Sequence, residues 1–554
     1  MSLRHATLRR IQIPQEMKVE LTDEESEICK LLDDCTKYLK EEKRIETSCR
    51  IAGGWVRDKL LGSDSHDIDI ALSDMMGLEF ANHLAEFARN KGIKTGNISK
   101  IAQNPEQSKH LETATFRFLG LDIDLVNLRS EEYTDSSRIP TEVKFGTPVQ
   151  DALRRDTTIN ALFYNVHSRE VEDHTGKGLD DLREGIIRTP LTPTVTFLDD
   201  PLRVLRCVRF ASRYGFDLVP ELAQAAKDAA IQTALVTKVA RERAGDELTK
   251  MMKGRDPFRA IQLISDLSLY DAIFSVIPQE IQATFSSPPA PRDTAFAAAS
   301  ILHALLHPNN SSRLPRLHST YLAAVNADSS CRARLYLATT LTPYESVTYR
   351  DKKNKSASAI EYILRETLKL GTQHHFLDGI PALFSAANLL KNPVLTSERF
   401  PHPSQRVALG LLLREKAVHN ANTGSDWATS LLFSLVQELV PLYDFANDTI
   451  DVEAATKIIE TYNAFIAKVD ELDLPRTVDA KPLLDGREVI AALGASKHGA
   501  WMGKVMSNMV QWQLENPEGT KEMCIAWLQD EQREGRIQTD DGRSEPASKR
   551  ARTK

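Results

Sequence analysis

The stretch IAGGWVRDKLLGSDSHDIDIAL, Ile51 to Leu72, decides how the rest of the chain is read. A short apolar run breaks at Gly53-Gly54 and resumes as WVRDKLL, where Val56, Leu60 and Leu61 fall at helical spacing. The order is therefore strand, glycine turn, helix. Two glycines let the backbone approach a polyanion, the new helix offers unpaired N–H groups and its positive dipole end, and Arg57 adds a first-turn cation. For Gly-Gly alone, an ordinary strand-to-helix turn is the better reading. In DIDIAL, Ile68, Ile70 and Leu72 alternate with Asp67 and Asp69, so a strand here buries one face and points both carboxylates out of the other. Alone, Asp-x-Asp reads as a solvated strand face. One helix downstream of a glycine phosphate seat, it brings a triphosphate and a divalent cation such as Mg²⁺ to one place.

GGWVRD with DIDIAL resembles the first motif of the nucleotidyltransferase superfamily that includes DNA polymerase beta. In detail it resembles the tRNA nucleotidyltransferase (CCA-adding) branch, which also holds bacterial poly(A) polymerases. Four later stretches resemble the remaining family motifs in family order. RRDTTINALFY, Arg154 to Tyr164, places Arg155 where the family contacts the nucleotide and Asp156 where it positions the ribose; a plain helix cap is the competing reading. GLDDLREGIIRT, Gly178 to Thr189, matches the hinge between head and neck. DDPLRVLRCVRFASR, Asp199 to Arg213, opens a helix with proline at its first position, and Arg203, Arg206 and Arg209 recur at three-residue steps. ARERAGDELTKMM, Ala240 to Met252, matches the last motif through Glu242, Arg243, Glu247 and Leu248 and reads as a structural brace.

The resemblance implies a class II, eukaryotic, fungal-like enzyme of α+β fold: a polymerase-beta-like palm with a small mixed sheet, followed by an all-α neck, body and tail. It would add C, C and A to the 3′ end of tRNA from CTP and ATP without a nucleic-acid template, releasing pyrophosphate. Asp67 and Asp69 would hold two Mg²⁺ ions, and in LDIDLVNLR the family's strand makes Asp124 the third catalytic carboxylate, with Asp122 its less favoured neighbour. Gly53, Gly54 and Arg57 would seat the triphosphate. Asp200 and Arg203 would template the base, with Arg206 and Arg209 as further nucleotide contacts; a salt-bridged surface helix is the structural alternative. Cytosine and adenine both present an amino donor beside a ring acceptor on the pairing edge, so one carboxylate and one guanidinium can accept both and reject uracil and guanine. Asp199 stands where many family members have Glu, which weakens only the support of that pair. A poly(A)-adding, CC-adding or A-adding relative would keep every motif, whereas an idle RNA-binding protein would have lost an acid or the phosphate arginine.

A chain of 554 residues with 42% hydrophobic content can bury sizeable cores in two to four domains. No apolar run approaches the roughly 18 residues of a membrane span, so a soluble protein without membrane partners is expected; a monomer is expected too, though nothing in the sequence bears on oligomeric state. Cys29, Cys35, Cys49, Cys207, Cys331 and Cys524 show no metal or disulfide spacing and point to a reducing interior. A formal net charge of −7 does not advertise an RNA binder, yet a local basic surface can hold the acceptor stem and elbow of tRNA. The first 16 residues carry Arg4, Arg9 and Arg10 with no acid before Glu16 and a second methionine at Met17. That pattern fits a mitochondrial form from the first start codon beside cytoplasmic and nuclear pools, and equally a plain terminus.

The resemblance, with the shifts in composition, implies a targeting segment (1–20), a catalytic head (21–165), a helical neck (166–283), a linker (284–293), a helical tRNA-binding body and tail (294–540) and a basic tail (541–554). Thr22 to Lys43 and Met76 to Lys91 read as helices, and Arg129 to Gln150 reads as an irregular polar loop. The only His-Asp pair is His66-Asp67 inside the expected metal strand, so no phosphohydrolase motif accompanies the motifs above.

Overall fold

In the computed structural model the described residues are 10–65, 67–101, 113–134, 137–308, 313–401 and 404–539. The arginines at 4 and 9 and the C-terminal basic tail lie outside them. Two compact units can be distinguished: one comprises 10–300 with 332–377, the other 301–331 with 378–539.

The first unit begins with α1 (Asp23–Lys43), opened by a capping box in which Thr22 and Glu25 bond each other's backbone N–H. Glu25 is buried, and its carboxylate accepts from Trp55 Nε1 at 3.0 Å and pairs with Lys59 at 2.9 Å, which ties α1 to the helix after the glycine turn. There follow β1 (Cys49–Ala52), α2 (Gly54–Leu60), β2 (Asp67–Leu72), α3 (Gly77–Asn90), β3 (Ser99–Ile101), β4 (Thr113–Phe118) and β5 (Leu121–Asn127). The head sheet has seven strands in the order β3-β4-β5-β2-β1-β8-β9, where β8 is Leu162–Asn165 and β9 Glu170–Asp173. Only β2 and β5 are parallel; every other neighbouring pair in that sheet is antiparallel. Their register sets Asp67 opposite Asp122 and Asp69 opposite Asp124, while Ile68, Ile70, Ile123 and Leu125 are buried on the other face.

The expected irregular loop is instead an antiparallel hairpin, β6 (Arg129–Thr134) with β7 (Ser137–Phe145), lying outside the main sheet. Its ends are drawn together at Gly146, where a Cβ would sit 2.4 Å from the Arg129 carbonyl carbon. The stretch is polar and charge-rich without sustained apolar alternation, so its sequence carried no strand signal.

After the head helix α4 (Pro148–Leu153), the neck consists of α5 (Gly178–Glu184), β10 (Ile186–Ile187), α6 (Pro193–Asp199), α7 (Leu202–Tyr214), β11 (Asp217–Leu218), α8 (Pro220–Ala226), α9 (Ala229–Lys238), α10 (Arg241–Met252) and α11 (Pro257–Asp266). Short strands therefore persist beyond Ile187, β10 and β11 pairing in parallel, where helices alone were expected. Both α10 and α11 pack on α7, burying Leu202, Leu205 and Val208. The stretch 284–293 is not a free tether. Ser286 N–H donates to the Thr348 carbonyl at 2.8 Å and Ala290 N–H to the Pro343 carbonyl at 2.8 Å, so it is pinned to a segment that returns from later in the chain. The first unit accordingly extends to residue 300.

The second unit is almost wholly helical. Helix Trp427–Leu439 is buried nearly all round, and Leu484, Val489, Leu493, Val505, Met509, Cys524 and Leu528 form a separate apolar cluster near its C-terminal end. No described helix is long and apolar enough to cross a membrane.

Candidate active site

The carboxylates come first because the sheet register places them. On β2, Asp67 and Asp69 stand on the open face, and the parallel partner β5 carries Asp124 beside Asp69. Asp69 opens to solvent on that face, yet the protein packed around its base costs the carboxylate part of its hydration and pushes it up to about 6; Arg155 opposes the shift, and Asp124 and Asp67 add like charge. Asp124 is held by Thr115 Oγ1, which donates to it across 2.6 Å from the neighbouring β4. Asp122 projects outward and is 67% exposed, 3.9 Å from Arg117. Among the described residues no three His, Cys, Asp or Glu side chains already converge as a ligand cage. The set of hard oxygen donors, with Asp67, Asp69 and Asp124 on one face of two neighbouring strands, nevertheless fits a divalent cation of the Mg²⁺ type.

Next to the carboxylates lies the glycine turn. Gly53 has φ +76°, and a Cβ there would lie 2.8 Å from Arg155 Nη1, so the position requires glycine both for its backbone and for the guanidinium against it. Arg155 is fixed by Asp151, to which Nη2 donates at 2.9 Å and Nε at 3.1 Å, and by the Asn160 carbonyl at 3.1 Å. Arg57, expected to face phosphate, is instead buried. It donates to Asp58 at 2.8 Å and to Asn160 Oδ1, and its guanidinium lies over the rings of Tyr214 and Phe210 at 5.1 and 5.4 Å. Asn160 also donates to Asp156 at 2.9 Å, joining the glycine-turn helix to the second motif. Burial alone would raise the Asp156 carboxyl, but Arg206, which donates to it at 2.6 Å, and Asn160 hold it well below the usual carboxylate range.

On the reading helix, Asp200 caps the C-terminus of α6 and accepts from Leu202 N–H at 3.2 Å, and Arg203 turns back to donate to the Thr196 carbonyl at 3.2 Å. Arg206 reaches Asp156, and Arg209 reaches Glu247 at 2.5 Å. The basic stripe thus divides by partner. The last motif, read only as a brace, supplies Glu247 to Arg209 and Arg206 and supplies Arg243 to Asp200, across 3.0 Å. Three residues that the sequence reading did not single out belong here: Asn160, Asp151 and Thr115. Asn160 sits four residues after Asp156, a spacing that signals a local side-chain bond; Thr115 is visible only once β4 is paired to β5.

Comparison with known proteins gives the following. Residues 49–188 match the family described as "Poly A polymerase head domain", and residues 215–280 match "Probable RNA and SrmB- binding site of polymerase A". The chain is 36% identical over 535 residues to the mitochondrial CCA tRNA nucleotidyltransferase of Saccharomyces cerevisiae, covering 92% of this chain and 93% of the other. It is 35% identical to a tRNA nucleotidyltransferase of Schizosaccharomyces pombe, covering 92% and 96%. Among solved structures, the Thermotoga maritima CCA-adding enzyme complexed with tRNA has a TM-score of 0.56 at 19% identity, covering 94% of this chain and all of that one, a likeness of fold.

Proposed function

The chain belongs to the CCA tRNA nucleotidyltransferase family, and from that premise we propose how its own residues add C, C and A to the 3′ end of tRNA from CTP and ATP without a nucleic-acid template. The observation that carries the assignment of roles is the parallel register of β2 and β5, which sets Asp69 beside Asp124 on the open face next to Gly53.

Asp67 and Asp69 would hold two Mg²⁺ ions, with Asp124 completing the attacking side. When bound, the metal lowers the pKa of the terminal ribose hydroxyl and neutralises charge on the leaving pyrophosphate. Thr115 keeps the Asp124 carboxylate oriented on its strand. The backbone of Gly53 and Gly54 is open to close approach by the triphosphate, while Arg57 holds the turn's helix against Asn160 from behind. Arg155 stands between Gly53 and Asp151, where it offers positive charge to the nucleotide, and Asp156 is kept ionised to accept from the ribose. Asp200 and Arg203 would read the pairing edge of the incoming base. In this reading the nucleotide contacts are Gly53, Gly54, Arg155, Asp156, Asp200, Arg203, Arg206 and Arg209, with Arg57 in support. The relative of Saccharomyces carries a mitochondrial name, and we place one form of this chain in mitochondria with cytoplasmic and nuclear pools beside it.

The test is incubation with tRNA lacking its 3′ end, each nucleoside triphosphate separately and together, and sequencing of the product. Ordered C, C, A is expected. A run of A without C would assign the chain to poly(A) addition, and no product with intact tRNA binding would leave only an RNA-binding role.

A further inference from the structure

Ser287 and Pro288 stand in TFSSPPAPRD, the pinned stretch 284–293, to which none of the roles above is given. The chain has Ser-Pro or Thr-Pro steps at Thr147, Thr189, Thr192, Ser287 and Thr342, and the fold sorts them. Thr189 and Thr342 are buried, at 4% and 5% exposure. Thr147 and Thr192 are the caps of α4 and α6, and their prolines open those helices, so the backbone after them is already committed to a helix. Ser287 alone is exposed and outside any helix or strand, and its hydroxyl has no hydrogen-bond partner among the described residues.

Its neighbours hold the stretch without holding Ser287 itself. Ser286 N–H donates to the Thr348 carbonyl at 2.8 Å, and Ser286 Oγ accepts from Thr348 N–H at 3.0 Å. Thr284 Oγ1 accepts from Arg350 N–H at 3.1 Å, and on the far side Ala290 N–H donates to the Pro343 carbonyl at 2.8 Å. Pro288 and Pro289, in between, have no N–H to pair. The side-chain anchors at Ser286 and Thr284 are open to solvent, so water replaces them at small cost when the stretch lifts away. Ser287 also lines a cavity of about 690 Å³ with Tyr270, Gln282 and Tyr344, and the charged groups there are Asp271 and Arg292. Arg292 Nη1 pairs with Asp271 Oδ2 at 2.7 Å, and both side chains are more than half open, at 54% and 59%. Asp271 accepts from Ser275 Oγ at 3.1 Å as well, so it keeps a partner if Arg292 turns away.

We propose that Ser287 is a phosphorylation site for a proline-directed Ser/Thr kinase and that Arg292 receives the phosphate. The kinase supplies ATP: a bond forms between Ser287 Oγ and the γ-phosphorus, the bond from that phosphorus to the β-phosphate's bridging oxygen breaks, ADP leaves, and the hydroxyl proton passes to the kinase's base. Proline after the serine keeps that serine out of helical backbone and offers no N–H to a sheet ladder, which leaves it in the extended conformation such a kinase needs. A phosphoserine carries a charge of about −1.5 to −2 at neutral pH, more than the Asp271 carboxylate, and three acceptor oxygens that suit a guanidinium fork. Arg292 is the one cation lining the cavity, so it is the group the new charge draws over. The proposal is independent of the nucleotide-adding reading.

The experiment treats the folded full-length protein with MgATP and a cyclin-dependent kinase, with a kinase that prefers basic sites as the control, and maps phosphate by mass spectrometry. Ser287 is expected to be the main position labelled by the first kinase, and Ser287→Ala and Pro288→Ala should each remove that label. In concentrated urea, with the kinase added after dilution to a tolerated level, Thr189 and Thr342 should become labelled too, which shows that the fold makes the selection. The phosphoserine is then titrated by ³¹P NMR. Its second ionisation, about 6 in an unfolded peptide, should lie lower by about 0.5 or more in the folded protein and return to the peptide value in Arg292→Gln. No phosphate on Ser287 of the folded protein, or label mainly at another Ser-Pro or Thr-Pro step, would overturn the site. A peptide-like ionisation in wild type, unchanged in Arg292→Gln, would overturn Arg292 as the receiving group.

Discussion

Arg243 Nη2 donates to Asp200 Oδ2 across 3.0 Å, so the acid expected to read the base is held by a residue from the next motif along the chain. Arg243→Ala should leave Asp200 free to rotate and loosen selection of C and A together. A hydrogen bond to a charged partner contributes roughly 1.5–3 kcal/mol, so discrimination against UTP and GTP should fall about tenfold or more. The kcat/KM values for the four triphosphates check this. Arg243→Lys should restore part of the loss, as one donor replaces a rigid fork.

Arg57 is a buried pillar before it is a phosphate contact. Removing it leaves Asp58 and Asn160 without their shared donor, and breaking a buried ion pair from one side costs about 3 kcal/mol or more. Arg57→Ala should therefore lower the urea midpoint and slow addition of every nucleotide alike. If activity were lost with an unchanged midpoint, Arg57 would act on phosphate directly.

The metal site should weaken in mild acid. Asp69 is raised to about 6 by loss of solvent first, then by Asp124 and Asp67, and a protonated carboxyl cannot ligate. Apparent Mg²⁺ or Mn²⁺ affinity should be constant above about pH 6 and fall below it. Without metal the sign is the reverse for folding: the raised carboxyl favours the folded state below its unfolded value, and that contribution is lost as pH rises through about 6. Cation binding should consequently stabilise the fold most at neutral pH. Calorimetric titration and thermal melts from pH 5 to 8 measure both effects.

Asp124→Asn and Asp122→Asn separate the two candidates for the third carboxylate. The first should cut kcat by several orders of magnitude, as should Asp67→Ala or Asp69→Ala, with tRNA binding nearly intact. Asp122 points into solvent beside Arg117, and its amide should retain most of the activity. A large loss with Asp122→Asn would exchange the two assignments.

Much of the site was legible because its residues are local in sequence. Asp67 and Asp69 share a strand face by simple alternation, and Gly53 announces a turn. The helix signals of α1 and α3 were equally plain, since caps and apolar periodicity are short-range features. What stayed hidden is what needs pairing over distance. The opposition of Asp69 and Asp124 depends on β2 and β5 lying parallel. The burial of Arg57 depends on Phe210 and Tyr214 arriving from α7. Arg243 and Glu247 looked like a brace because the helix they brace against lies some forty residues earlier. The β6–β7 hairpin escaped notice because its polar sequence shows no apolar alternation.

The tie between α1 and α2 bears on the proposed mitochondrial form and its shorter counterpart. Thr22, Glu25, Trp55 and Lys59 all lie downstream of Met17, so a protein translated from that codon keeps the helix cap and the buried carboxylate bonds that seat the head. It loses the Ile11 N–H bond to the Tyr214 carbonyl and the Arg10 guanidinium over Phe216. Under the proposed pair of starts, the long and short forms would share one catalytic head and differ in how residues 10 and 11 clamp the end of α7 and the residues after it.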